Sequence, residues 1–142
     1  MDHLKNIHIG EIIKIKVKEE KTDLDKIQKY FKCSEEEIFN MFQEKSLDSD
    51  LLLKWSKILK YDFFRLYTQH LILYSPPKSS DSTINSKTLP NFRKNIYTRE
   101  VIGFILEMLS TGNKTKQDII EEYGIPKSTL HKWMSKYRSN HS

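Results

Sequence analysis

Residues 113–138, NKTKQDIIEEYGIPKSTLHKWMSKYR, allow this chain few conformations. Gly124 interrupts an apolar pattern of helical period, and Pro126 follows two residues later. Proline can open a helix, where its missing N–H costs nothing, but it cannot continue one. Glycine reaches the positive φ that a sharp helix exit needs. The stretch therefore predicts two short helices, about Lys116–Tyr123 and from Pro126 or Lys127 to about Arg138, joined by a tight turn. On the second helix Leu130, Trp133 and Met134 lie at i, i+3 and i+4 and share one face. Lys127, Ser128, His131, Lys132, Ser135 and Arg138 lie on the other.

A helix, a glycine turn and a basic helix have the form of a helix-turn-helix DNA reader, whose second helix enters the major groove. In that form Lys127, Ser128, His131, Lys132 and Ser135 are expected to face base edges. Lysine can bond guanine O6 and N7, and serine either base type. Lys114, Lys116, Thr129, Lys136 and Arg138 are expected to hold phosphates and set register. Upstream, Thr98 can cap a helix of about 99–111, with Glu100 in its first turn and Val101, Ile102, Ile105, Met108 and Leu109 on its inner face. Residues 98–142 then form a small trihelical DNA-binding domain.

The charge distribution points the same way. The formal charge is +5 over 142 residues. Residues 1–74 hold 13 Lys/Arg against 13 Asp/Glu, and residues 75–142 hold 11 against 6, so the excess is all C-terminal. Nucleic acid attracts such an excess through counterion release. With only four glycines and four prolines and apolar residues at helical spacing, an all-α protein of two small helical domains is expected. No apolar run approaches the ~18–20 residues of a membrane span. The N-terminus shows no signal-peptide apolar core. The single cysteine, Cys33, excludes an internal disulfide framework. A cytoplasmic, nucleoid-associated bacterial protein is the expectation.

The first 74 residues read as five helices. In residues 7–20, Ile9, Ile12, Ile13 and Val17 share a helical face, although Ile12–Lys18 also alternates as a strand would. Asp23 can cap a helix over 24–31, with Leu24, Ile27 and Phe31 inward. Ser34 can cap one over 35–44, with Ile38, Met41 and Phe42 inward. Asp48 or Ser49 can cap a fourth, with Leu51, Leu52, Trp55, Ile58 and Leu59. The fifth, about 62–73, is so apolar that it predicts burial against another surface, such as a second copy of the chain. Residues 75–97 then read as a Pro/Ser-rich linker with a basic end. Arg93, Lys94 and Arg99 are candidates for a basic arm on the DNA backbone or minor groove.

One helix pair echoes the other. Adding 92 turns Ile27, Phe31, Cys33, Ile38 and Met41 into Ile119, Tyr123, Ile125, Leu130 and Trp133. The copies differ at the turn, where the first has Lys32, and on the second helix, where it has Glu35, Glu36, Glu37, Asn40 and Glu44. Carboxylates there suit the helix dipole but not a groove lined by phosphates. The first module is therefore expected to serve dimerisation or protein interaction.

Residues 9–59 resemble the Cro/cI-type repressor domain. The likeness rests on IGEIIK, the Ile27–Met41 spacing and LLLKWSKIL at the fourth helix. It departs at Gln28, usually small, and at Lys32, usually glycine. Residues 97–137 resemble the helix-turn-helix subunit of insertion-sequence transposases, through Tyr97-Thr98-x-Glu100, YGIPKSTLHKW and Tyr137. Ile120 departs from the small residue common there. This resemblance implies binding to element ends, as an oligomer and beside a separate catalytic transposase subunit.

No catalytic chemistry is legible. Three carboxylates on a mixed sheet, as a two-metal transposase core requires, do not fit in this chain. The five histidines, His3, His8, His70, His131 and His141, have no metal-site spacing, and no phosphate loop occurs. A non-enzyme without cofactor or metal is expected. Sequence-specific binding of double-stranded DNA in a transposition system is the leading expectation. A bacterial transcriptional regulator, and a protein-interaction protein that keeps helix-turn-helix shape without touching DNA, are the alternatives. RNA is less favoured, because the basic face lacks aromatic stacking platforms.

Overall fold

The computed structural model describes residues 2–76, 88–90 and 96–137. The protein is all-α. The described helices are α1 (Asp2–Lys5), α2 (Ile9–Glu19), α3 (Leu24–Phe31), α4 (Glu35–Gln43), α5 (Ser49–Leu59), α6 (Phe64–Tyr74), α7 (Arg99–Ser110), α8 (Lys116–Tyr123) and α9 (Lys127–Tyr137). Short polar side chains start most of them. Asp23 accepts from the Asp25 amide, Asp48 from Leu51 and Thr98 from Val101. Ser34 and Thr115 close reciprocal capping boxes with Glu37 and Asp118. Each satisfies amides that a helix start otherwise leaves bare. His8 caps α2 through its ring nitrogen, 3.2 Å from the Glu11 amide, and the short α1 precedes it; neither was anticipated. The Ile12–Lys18 alternation forms helix. Ile15, which a strand would have aligned with Ile13, is exposed.

The chain divides into two compact units, Asp2–Tyr67 and Thr68 onward. In the first, α2 packs on α4 and α5, and α3 packs on the same two helices. Ile9, Ile13, Ile27, Ile38, Phe42, Leu52, Trp55 and Leu59 are buried. Trp55 fills the centre, its ring 4.5 Å from Phe31 and 5.8 Å from Phe42. The start of α2 lies against the end of α4, where the Ile9 and Gly10 amides donate to the Lys45 and Glu44 carbonyls, both at 3.0 Å. Only glycine fits there. A Cβ on Gly10 would stand 2.4–2.6 Å from the carbonyl oxygens of Phe42, Met41 and Glu44.

In the second unit, α9 packs on α7 and α8. Val101, Ile102, Ile105, Met108, Ile119, Tyr123, Ile125, Leu130 and Trp133 are buried. The division between the two units falls inside α6, between Tyr67 and Thr68. Gln69 explains why. Its side chain is 2% exposed; its amide nitrogen donates to the Ile96 carbonyl at 2.6 Å and its oxygen accepts from the Thr98 amide at 3.0 Å. One side chain thus ties α6 to the residues that lead into α7. Of the expected linker, 77–87 and 91–95 lie outside the described residues.

Candidate nucleic-acid interface

The candidate interface is built on α8, its turn and α9. Thr115 holds the start of α8: its amide donates to the Asp118 carboxylate at 3.0 Å, and its hydroxyl accepts from the Asp118 amide at 3.1 Å. The Thr115 amide, then its hydroxyl, hold the Asp118 carboxyl below its usual range. Gly124 leaves α8 in the left-handed region, φ 63° and ψ 26°. Ile125 dives into the core directly after it. The Pro126 carbonyl then accepts from the Leu130 amide at 3.1 Å, which starts α9.

Leu130 and Trp133 anchor α9 from within, and the Tyr97 ring meets Trp133 edge-on at 4.9 Å. With that side fixed, Lys127, Ser128, His131, Lys132, Ser135 and Lys136 are all exposed, and Thr129 is half-exposed. No acidic residue stands in the first turn of α9. Its leading amides therefore present the positive end of the helix dipole without a carboxylate of their own, an arrangement suited to phosphate.

The remaining candidates divide. Lys116 is exposed at the start of α8, and Arg99 is exposed at the start of α7. Lys114 is ion-paired with Glu122, and that hydrogen bond raises the Lys114 ammonium above its usual value. It can hold a phosphate only by giving up Glu122. Arg93, Lys94 and Arg138 lie outside the described residues.

The N-terminal unit supplies an internal control. The offset of 92 carries both ends of α3 onto both ends of α8 and the first residue of α4 onto the first of α9. It also carries the N-cap Asp23 onto Thr115 and the left-handed Lys32 onto Gly124. The echo reaches the preceding helix, where buried Ile9 and Ile13 match buried Val101 and Ile105. That third helix was not part of the pattern visible in sequence. On the outward faces the chemistry inverts. Glu35, Glu36, Phe39, Asn40 and Glu44 occupy the places of Lys127, Ser128, His131, Lys132 and Lys136, and all ten are exposed. Glu37 matches Thr129 and is engaged with the Ser34 amide at 2.9 Å.

Cys33, beside Lys32 in the first copy's turn, is half-buried, and burial followed by the Glu37 carboxylate raises its thiol pKa. It is thus poorly suited to act as a nucleophile. Among the described residues no group of three or more His, Cys, Asp or Glu is arranged to hold a metal, and no helix is long and apolar enough to cross a membrane. Comparison with protein-family models, with curated proteins and with solved structures gave no match.

Proposed function

We propose that the protein binds double-stranded DNA sequence-specifically through α8 and α9, with α9 in the major groove. The observation that carries this reading is the exposed, carboxylate-free, basic face of α9, set against the acidic face that the same scaffold presents in α4. Two copies of one architecture pack alike inside and differ in surface charge, so packing alone does not account for the lysines. Lys127, Lys132 and Ser128 read base edges in this proposal, and Lys116, Lys136 and the first amides of α9 hold phosphates. His131, at the centre of the face, donates to a base or a phosphate.

The biological setting that fits the sequence resemblance is transposition. The protein would be the non-catalytic DNA-binding member, in the bacterial cytoplasm, working beside a separate catalytic subunit. A transcriptional regulator would use the same surface. The N-terminal unit, with Glu35, Glu36 and Glu44 outward, serves assembly and not the groove. A single small module binds weakly, and joining two by a dimer contact within residues 1–74 raises affinity through effective concentration.

The test is a mobility-shift titration of the full chain over a range of salt, on duplexes selected from a random pool. Affinity should fall steeply with salt, with a log–log slope of about −0.9 per phosphate neutralised. Lys127→Ala with Lys132→Ala should abolish selection of the preferred sequence. Failure to bind any duplex at low salt would leave only the protein-interaction reading.

A further inference from the structure

The outward face of α9 is narrow in its chemistry. Ser128, His131, Lys132 and Ser135 stand at i, i+3, i+4 and i+7, so they share one face, and all four are exposed. Leu130 and Trp133 hold the opposite face in the core. Lys127 and Lys136 flank the row and are exposed too. The Lys136 ammonium lies over the Tyr137 ring, 5.5 Å from its centre, and is held at the last turn of the helix. Lys132 has no such contact and no carboxylate partner among the described residues.

Each base offers the major groove its own partners. Guanine presents two acceptors, N7 and O6; adenine an acceptor beside a donor; cytosine a donor; thymine an acceptor and a methyl group. Adenine is read by the paired donor and acceptor of Asn or Gln, and cytosine by the carboxylate of Asp or Glu. α9, Lys127–Tyr137, contains none of these four residue types. Gln117 of α8 has its amide nitrogen on the Glu121 carboxylate at 2.6 Å. Thymine's methyl group needs an apolar contact, but Leu130 and Trp133 are buried and Met134 is half-buried. What faces outward is chiefly donors: the Lys132 ammonium, an N–H of His131, and the Ser128 and Ser135 hydroxyls. Guanine alone meets them with two adjacent acceptors. We infer that the DNA class this face selects is centred on guanine, with Lys132 donating to O6 and N7 of one guanine and His131 to N7 of the adjacent purine. The inference deepens the DNA-binding reading and rests on it. Ser128 and Ser135 lie four and three residues to either side of Lys132, ~6 and ~4.5 Å along the axis. That is within two base-pair steps of ~3.4 Å each. Serine serves either base type, so the flanks of the guanine core tolerate variation.

Selection from a random duplex pool with the full chain, followed by base-analogue substitution in the selected duplex, tests it. The selected motif should contain an invariant guanine. Replacing that guanine by 7-deazaguanine, which removes the N7 acceptor and keeps the base pair, should weaken binding roughly tenfold. Inosine at the same place keeps O6 and N7 and loses only a minor-groove amino group, so it should bind as the parent duplex does. Lys132→Ala should lose the guanine preference and become insensitive to 7-deazaguanine, whereas Lys136→Ala should weaken all duplexes alike. Lys132→Gln should move the preference at that position from guanine to adenine, a gain that misfolding cannot produce. A selected motif without guanine, an indifferent response to 7-deazaguanine, or a guanine preference that survives Lys132→Ala would overturn the inference and leave DNA binding standing. Failure to bind any duplex at low salt would overturn both.

Discussion

Lys32 and Gly124 hold one place in two copies of a turn, both in the left-handed region, with φ of 56° and 63°. Lys21 and Lys60 follow at φ 51° and 50°. A side chain with a Cβ is strained there by roughly 1–2 kcal/mol, and glycine is not. Lys32 and Lys60 are the C-cap residues of α3 and α5, a position where a cation suits the negative end of the helix dipole. Lys32→Gly should stabilise the N-terminal unit by about 0.5–1 kcal/mol, the strain relieved less the added entropy of the unfolded chain. A rise in the urea midpoint with unchanged slope would show it. Gly10 is the opposite case. Its neighbours are backbone oxygens that cannot swing aside, so Gly10→Ala should cost about 2–3 kcal/mol or more in the same measurement. The turn glycine was legible in sequence, because Gly124 stands between two amphipathic runs. Gly10 was not, because what forbids its Cβ is carbonyl oxygens more than 30 residues away in the chain.

At the scale of elements, the boundaries of α3, α8 and α7 were readable to within a residue. Asp23, Thr98 and Thr115 are short side chains that satisfy amides two or three residues ahead, and such local chemistry is written in the sequence itself. α6 shows where this stops. Its apolar run announced a helix, but Gln69 looked like one polar residue in an apolar stretch. Its partners, Ile96 and Thr98, are 27 and 29 positions away. Gln69→Leu should leave the Ile96 carbonyl and the Thr98 amide without that partner and cost roughly 2–4 kcal/mol. Gln69→Glu keeps the acceptor for Thr98 but faces the Ile96 carbonyl with a second acceptor when ionised and with a donor only when protonated, so its cost should fall as the pH is lowered. Hydrogen exchange at the Thr98 amide would separate the two: fast in the leucine variant, still protected in the glutamate variant. Loss of protection with both would mean that the carboxylate cannot hold its place.

At the scale of the whole molecule, one three-helix plan is used twice and completed differently each time. In the first unit α5 closes the plan, and Trp55, Leu52 and Leu59 seal the space over α2, α3 and α4. The second unit has no described helix after α9. Its additional helical segment is the part of α6 from Thr68 on, bonded through Gln69 and carrying the buried Ile72 and Leu73. This makes a prediction about what can fold alone. A fragment cut at residue 98, where composition places the domain edge, contains α7, α8 and α9 but lacks Gln69, Ile72, Leu73 and the Tyr97 ring that covers Trp133. It should melt at low temperature and without a sharp transition. A fragment from residue 62 retains all four and should unfold cooperatively, protecting the Thr98 amide. Isolated helices of 8 to 12 residues are marginal in water, so the added burial decides whether the trihelical unit is ordered at all. If both fragments melt alike by calorimetry, α6 is no part of the second unit's cooperative core. If only the longer one is cooperative, α9 is presented to its partner by a unit that begins in the middle of a helix.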